Sequence, residues 1–332
     1  MTRPTPTDER VAALIHDATA APSMHNAQPW QFRYQRSRHT FEVRADFERA
    51  MRHSDPEGRS LHLGCAAALL NLRVAVAYEG WHPETRLLPD LTDRALLATV
   101  RLTDPAPAPG TSALAALYPA IHQRHSSRDP FEETEIPQIV HEALAEAARQ
   151  EGVDLTFPTS WHLEDVLETI QEAEARNITD PGSEQDLERW TRIAATSADA
   201  PVEGVPQYAF GPRKRGGKAP MRDFAGHRQV ADRDAADFER NPQLALLSTQ
   251  HDRPEDWLRA GQAMQRVLLL ATLQGLAGSF VSQPLEWKDL RWPLRDPVTG
   301  TGHPQMMLRL GYGPKGSGTP RRPVSEVLDI QP

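Results

Sequence analysis

The stretch Ser60 to Tyr78, SLHLGCAAALLNLRVAVAY, constrains this chain more than any other. Small and apolar residues cover nearly every face of a helix at that spacing, and Gly80 follows as a residue suited to the C′ position. A helix without a solvent-facing side has to be enclosed, so it belongs in the middle of the protein. Trp257 to Leu276 reads as a second central helix, and it too contains a terminal glycine, Gly275. With 332 residues the chain can bury roughly three quarters of its surface, so folding needs neither metal nor disulfide. Cys65, the only cysteine, excludes an internal disulfide and any Cys-based zinc cluster.

Around these helices the pattern runs twice. Val11, Leu14, Ile15 and Ala18 fall at the three-four spacing of an amphipathic helix over Thr7 to Thr19. Trp30, Phe32 and Tyr34 alternate with polar residues, as do Phe41, Val43 and Ala45, which predicts a hairpin. Leu96 to Leu102 reads as a buried strand closing a first half, residues 1–104. PAPAPG, Pro105 to Gly110, opens a Pro/Ala-rich linker over 105–120. The second half, 121–332, contains a helix from about Pro137 to Gln150, a strand over Val153 to Phe157, a helix over Trp161 to Asn177 and a closing strand over Met306 to Leu310. Between them lies an irregular, lid-like insertion at about 179–223. The closing strands rhyme as VRL (Val100 to Leu102) and LRL (Leu308 to Leu310), but the glycine spacings in the two central helices differ, so the repeat is weak in sequence.

Net charge is −8 with 25% charged residues, which argues against a nucleic-acid or membrane-surface protein at the level of the whole chain. The N-terminal MTRPTPTDER has no apolar signal core, and no uninterrupted apolar run reaches the length of a membrane span, so the expectation is a soluble, cytoplasmic protein. Nearly all basic residues are arginine, so a lone arginine carries little weight.

Two stretches carry chemistry. Ala18 to Tyr34 leaves an apolar helix, breaks at Pro22 and resumes as a strand at Trp30, which makes it a loop that presents backbone. Pro22-Ser23-x-x-Asn26 offers N–H groups, a hydroxyl and a two-faced amide to the edge of a flat heterocycle, although an ordinary loop with an N-cap serine has the same composition. Arg124-His125-Ser126-Ser127-Arg128 places two guanidinium groups and two hydroxyls together, a set suited to a phosphate dianion, although it also suits a solvated turn. Other patterns fail on their own terms. Gly311-x-Gly313-x-x-Gly316 is interrupted by Pro314 and followed by Gly318 and Pro320 where a helix must begin. In Gly211 to Lys218 the Gly-Lys pair falls one residue late, and Ala219 stands where a magnesium-binding hydroxyl is needed. His122 and His125 have no second pair and no carboxylate partner in sequence, so no metal site is expected.

The string Ala21-Pro22-Ser23-x-x-Asn26-x-Gln28-Pro29-Trp30 resembles the flavin-edge motif of the nitroreductase superfamily. Arg124-x-Ser126-x-Arg128 resembles the segment with which that family grips the FMN phosphate. The resemblance covers most of the chain, the insertion least, and implies an α+β nitroreductase-like fold. In the family one subunit supplies the loop and the other the grip, whereas this chain keeps one copy of each in different halves. That division is similar to the Acg-like branch and implies two similar lobes forming an internal pseudo-dimer with one FMN site, and a monomer. Carried over by residue, it implies that Pro22, Ser23, Met24 and Asn26 border the ring and that Gln28 supports the loop. Arg124, Ser126 and Arg128 would hold phosphate and ribityl, with Arg128 reaching toward N1 and O2, where a cation stabilises reduced flavin. Ser282 and Gln283 would meet the ring's other side, and Arg321 or Arg322 would close over the phosphate. The implied activity takes hydride from NAD(P)H to FMN and then to an electron-poor small molecule such as a nitroaromatic or quinone, with no side chain acting as acid or base. The insertion raises the alternative of a flavin-binding or storage protein with a covered cofactor and little turnover. A third reading is an interaction scaffold whose flavin site has decayed.

Overall fold

In this computed structural model the described residues are 6–103, 112–193, 202–231, 233–295 and 302–332. Helix α1 (Asp8–Thr19) begins where the Thr7 hydroxyl accepts from the Arg10 N–H at 3.4 Å. It leads through the loop into the hairpin of β1 (Trp30–Gln35) and β2 (Thr40–Ala45), then α2 (Arg59–Tyr78), β3 (His82–Leu87) and β4 (Leu96–Thr103). The second half runs α3 (Gln138–Arg149), β5 (Asp154–Thr156), α4 (Ser160–Thr179) and α5 (Pro181–Arg189). Four short strands follow, β6 (Thr191–Arg192), β7 (Val205–Pro206), β8 (Arg213–Gly216) and β9 (Ala235–Asp237). The chain then forms β10 (Gln243–Thr249), α6 (Pro254–Leu273), β11 (Ala277–Phe280), β12 (His303–Gly311), α7 (Val324–Val327) and β13 (Leu328–Gln331).

Two sheets flank the central helices. One has the order β13-β1-β2-β4-β3 and the other β11-β12-β10-β5. Counted from the first strand of each half, β1-β2-β4-β3 and β5-β10-β12-β11 follow the same path, and every step within them is antiparallel. β13, at the end of the chain, adds parallel to β1 with Phe32 opposite Leu328. The last segment of the second half therefore completes the sheet of the first. One hydrophobic cluster runs from Val11 and Trp30 through Leu69 to Met264 and Leu310, so both halves share a core.

The packing of α2 on α6 is close because of one glycine. A Cβ on Gly261 would lie 2.4 Å from the Leu63 carbonyl oxygen and 2.7 Å from Ala66 Cβ. Polar pins hold the crossing in register: the Gln265 amide donates to Asn71 Oδ1 at 2.8 Å, and the Asn71 amide donates to the Asp17 carbonyl at 3.2 Å. Both Gln265 and Asn71 are fully buried.

Several expectations change here. By length and composition α2 is apolar enough to cross a membrane, contrary to the reading of the apolar runs, but 94% of its most apolar window is buried inside the protein, as suits a core helix. The irregular insertion expected at about 179–223 contains α5 and short strands, and its Val205, Ala209 and Phe210 form a small core with Phe224 and Ala225 just beyond its expected end. Its pieces are too short to show a period in sequence. Of the linker expected over 105–120, residues 105–111 lie outside the described residues. Within the rest, Leu117 and Ala120 pack on Leu70, Val74 and Leu269.

Gly261→Ala is expected to lower the unfolding free energy by about 2 kcal/mol or more, because the new methyl meets backbone rather than a side chain that can swing away. Urea denaturation checks this; an unchanged midpoint at unchanged slope would refute the close crossing.

Candidate functional site

The crossing of α2 and α6 forms one wall of a cleft with about 1040 Å³ of open space, its solvent mouth included, lined by Ser60, Leu63 and Gly64 from α2 and Met264 from α6. The 22–26 loop lies against this wall. A Cβ on Gly64 would come within 3.2 Å of Ser23 Cβ, so the loop sits on the helix backbone.

The loop is tightly made. His25, Asn26 and Gln28 all have left-handed backbones, with φ of 48°, 56° and 52°. The Ser23 hydroxyl accepts from the Gln28 N–H at 2.9 Å. Gln28 is fully buried behind the loop, its amide donating to the Asn26 and Val202 carbonyls and its Oε1 accepting from the Arg322 N–H at 2.8 Å. It supports the loop without lining the cleft. The Asn26 amide donates to the carbonyls of Gly204 and Pro320, at 3.1 and 3.2 Å, and its Oδ1 accepts from Arg321 at 3.0 Å.

From the second half, Arg124, Ser126 and Arg128 all face the same cleft. Their segment lies along β11, where the Ser127 N–H donates to the Gly278 carbonyl at 2.9 Å. The tail crosses it so closely that a Cβ on Gly316 would lie 1.9 Å from the Ser126 carbonyl oxygen. Behind it, a buried Arg309–Glu239 ion pair fixes the next residues: Arg309 donates to the Asp129 carbonyl at 2.9 Å and Glu239 accepts from the Phe131 N–H at 3.0 Å.

Ser282 and Arg321 also line the cleft. Gln283 and Arg322 do not. Gln283 is turned to Glu174, to which its amide donates at 3.1 Å. Arg322 is turned to α7, donating to the Glu326 carbonyl at 3.3 Å. The wall that sequence reasoning missed comes from the insertion, Met221, Arg222 and Phe224, together with His25, Ser279, Met306 and Thr319. No local motif marks these positions; the aromatic and arginine content of the insertion was the only available signal.

The electrostatics of the cleft are one-sided. Among the described residues, no Asp or Glu lines it. Arg222 is paired with Glu286, whose carboxylate also accepts from the Ser282 hydroxyl at 2.8 Å. Among the described residues, Arg124, Arg128 and Arg321 have no carboxylate partner. Their N–H groups reach neutral oxygens: Arg124 the Ala20 carbonyl at 3.3 Å, Arg128 the Ala209 carbonyl at 2.7 Å, and Arg321 the Thr19 and Ala21 carbonyls at 2.8 and 3.0 Å, the Asn26 amide oxygen at 3.0 Å and the Thr319 hydroxyl at 2.7 Å. Arg124 Nε is buried with no partner. Burial, then repulsion from Arg321, pushes Arg124 down to about 9, while burial pushes Arg128 and Arg321 down to about 10. Carbonyl dipoles solvate these cations but do not neutralise them, so the site is built for an anion that the chain itself does not contain.

The Nitroreductase family profile matches residues 121–312. A Mycobacterium tuberculosis protein named "Putative NAD(P)H nitroreductase Rv3131" is 32% identical over 98% of this chain and 92% of its own length. The chain belongs to the nitroreductase family. A second relative of this nitroreductase, "Putative NAD(P)H nitroreductase acg" of the same organism, is 28% identical over 98% of the chain and 97% of its own length, which places the chain with the Acg-like branch. A crystal structure from Anabaena variabilis, described as that of a putative nitroreductase, superposes with a TM-score of 0.50 at 14% identity, over 94% of this chain and 90% of its own. The α+β nitroreductase-like fold is thus shown over nearly the whole molecule.

Arg124→Met is expected to raise the stability of the ligand-free protein by about 1–3 kcal/mol, because it removes a buried charge that lacks a counter-charge. Inorganic phosphate is expected to raise the melting temperature of the wild type, and the same change should abolish that rise. A loss of ligand-free stability would contradict the unpaired-charge account.

Proposed function

We propose that this nitroreductase is an FMN-dependent oxidoreductase that takes hydride from NAD(P)H and reduces an electron-poor small molecule, such as a nitroaromatic or a quinone. The observation that carries this is a trio of arginines without carboxylate partners among the described residues, Arg124 buried and Arg128 and Arg321 half-buried, set at a cleft whose one other arginine, Arg222, is already paired with Glu286. A phosphate monoester supplies the missing charge, and a flat ring system suits walls made of Leu63, Met264, Met306 and the 22–26 loop. When bound, FMN supplies a two-electron carrier, and the chain's part is to hold it, orient it and limit what else enters.

In this reading Arg124, Ser126 and Arg321 grip the phosphate. Arg128, held by the Ala209 carbonyl and lying 4.6 Å from the Phe224 ring centroid, turns a cation toward the ring, where it favours the reduced, more negative form. Pro22, Ser23, Met24 and Asn26 border the ring, Gln28 keeps their loop in its left-handed form, and Ser282 approaches from the end of β11. We further propose that the two sheets of equal strand order are the lobes of an internal pseudo-dimer, divided near the 105–120 segment. Each lobe then supplies one half of a single site, and a cytoplasmic monomer suffices. The matching strand paths and the exchange of β13 support that reading.

A second reading, a flavin-binding or storage protein with little turnover, is favoured by the insertion. Met221, Arg222 and Phe224 line the cleft, the Arg222–Glu286 ion pair ties them to the body, and the Tyr208 hydroxyl donates to the Gly318 carbonyl at 3.1 Å. An anaerobic absorbance trace of the purified protein separates the two. A reductase bleaches when NADH or NADPH is added, whereas a covered flavin bleaches with dithionite and with neither nicotinamide. Colourless protein that takes up no added FMN would overturn both.

A further inference from the structure

One buried polar side chain in the cleft has no hydrogen-bond partner among the described residues. His25 is 7% exposed, lines the cleft, and neither Nδ1 nor Nε2 has a hydrogen-bond partner. Buried polar atoms left unpaired are uncommon and costly, and this ring has two. Its backbone is also strained, at φ 48°. The ring packs edge-on to Phe224, with centroids 5.5 Å apart and planes at 76°. An apolar side chain would serve that contact without leaving two nitrogens unsatisfied, so packing alone does not account for a histidine.

The surrounding charges say where this ring sits. Burial holds the imidazole well below its ordinary value, and Arg222 and Arg128 add to the effect, which keeps the ring neutral with one donor and one acceptor. Arg124 and Arg321, by contrast, meet at the Ala20 carbonyl, to which each donates at 3.3 Å, whereas His25 and Arg128 meet at the Phe224 ring. The cleft therefore has two polar ends: the Arg124–Arg321 pair, and a group made of His25, Arg128 and the insertion residues Arg222 and Phe224.

We propose that His25 hydrogen-bonds the polar edge of the flat heterocycle held in the cleft, forming with Arg128 a ring-edge subsite separate from the Arg124–Arg321 anion site. This rests on the FMN reading, in which that edge carries carbonyl oxygens and ring nitrogens able to accept from, or donate to, a neutral imidazole. No proton is transferred in this role.

Fluorescence titration with FMN and with riboflavin, which lacks the phosphate, tests it on the full chain. His25→Phe keeps a ring against Phe224 but removes both nitrogens, and should weaken FMN and riboflavin by the same factor, about tenfold. His25→Asn tolerates the left-handed backbone and restores a donor and an acceptor, so it should stay within about threefold of wild type. Arg124→Met should weaken FMN while leaving riboflavin unchanged. If His25→Phe does not fold, nitrogen-15 spectra of histidine-labelled wild type replace it: the ring resonance missing from His25→Asn must move when riboflavin is added. Unchanged riboflavin binding by His25→Phe, or an unmoved resonance, overturns the proposal alone. Wild type that takes up neither flavin overturns the FMN reading and this proposal with it.

Discussion

The close contact between α2 and α6 is the constraint on which the rest of the molecule depends. Gly261 sits against the Leu63 carbonyl, and the residues at that contact, Leu63 and Gly64 on one helix and Met264 on the other, also form a wall of the cleft. Because Gly64 has no side chain, the Ser23 loop can rest on the helix backbone. The geometry that fuses the two halves into one core is thus the same geometry that positions the loop. A site made this way is rigid on the side that must hold a ligand and owes its shape to packing rather than to the ligand.

The opposite requirement governs the charges. The cleft holds three guanidinium groups, one buried and two half-buried, without carboxylate partners among the described residues, a cost that the shared core has to offset. Carbonyls at the C-terminal end of α1 orient two of them: Arg321 reaches Thr19 and Ala21, and Arg124 reaches Ala20. The negative end of a helix dipole favours cations there and softens the penalty without removing it. The donors stand ready before any ligand arrives, so binding avoids part of the ordering cost that flexible surface arginines would incur.

The fold was legible in the sequence where periodicity is long. Ser60 to Tyr78 and Trp257 to Leu276 stand within a few residues of α2 and α6, and the alternation from Trp30 to Ala45 gave the β1–β2 hairpin. β3, β11 and β13 were not legible, since they are short, partly exposed and recruited by an edge already present. At the site, Pro22, Ser23, Met24 and Asn26 of one motif and Arg124, Ser126 and Arg128 of the other line the cleft as named in advance, because neighbours in sequence stay neighbours in space, whereas His25 and His125 of the same motifs were not named. Between Arg321 and Arg322 only the three-dimensional path decides. Residue 321 turns to the loop carbonyls while residue 322 turns to α7. Met221, Arg222 and Phe224 were out of reach for the same reason, as they arrive from an insertion with no repeating pattern.

That insertion is bonded to the ligand-facing residues themselves. Arg128 donates to Ala209, Asn26 donates to Gly204, and Phe224 packs against both His25 and Arg128. A movement that uncovers the cleft must therefore break hydrogen bonds made by the loop and by the grip, one from each half of the chain. Linkage makes the converse equally true: a ligand that engages Asn26 and Arg128 changes the free energy of the insertion's position by as much as that position changes the ligand's affinity. Any coupling between a ligand in the cleft and the insertion passes through the bonds to Gly204 and Ala209.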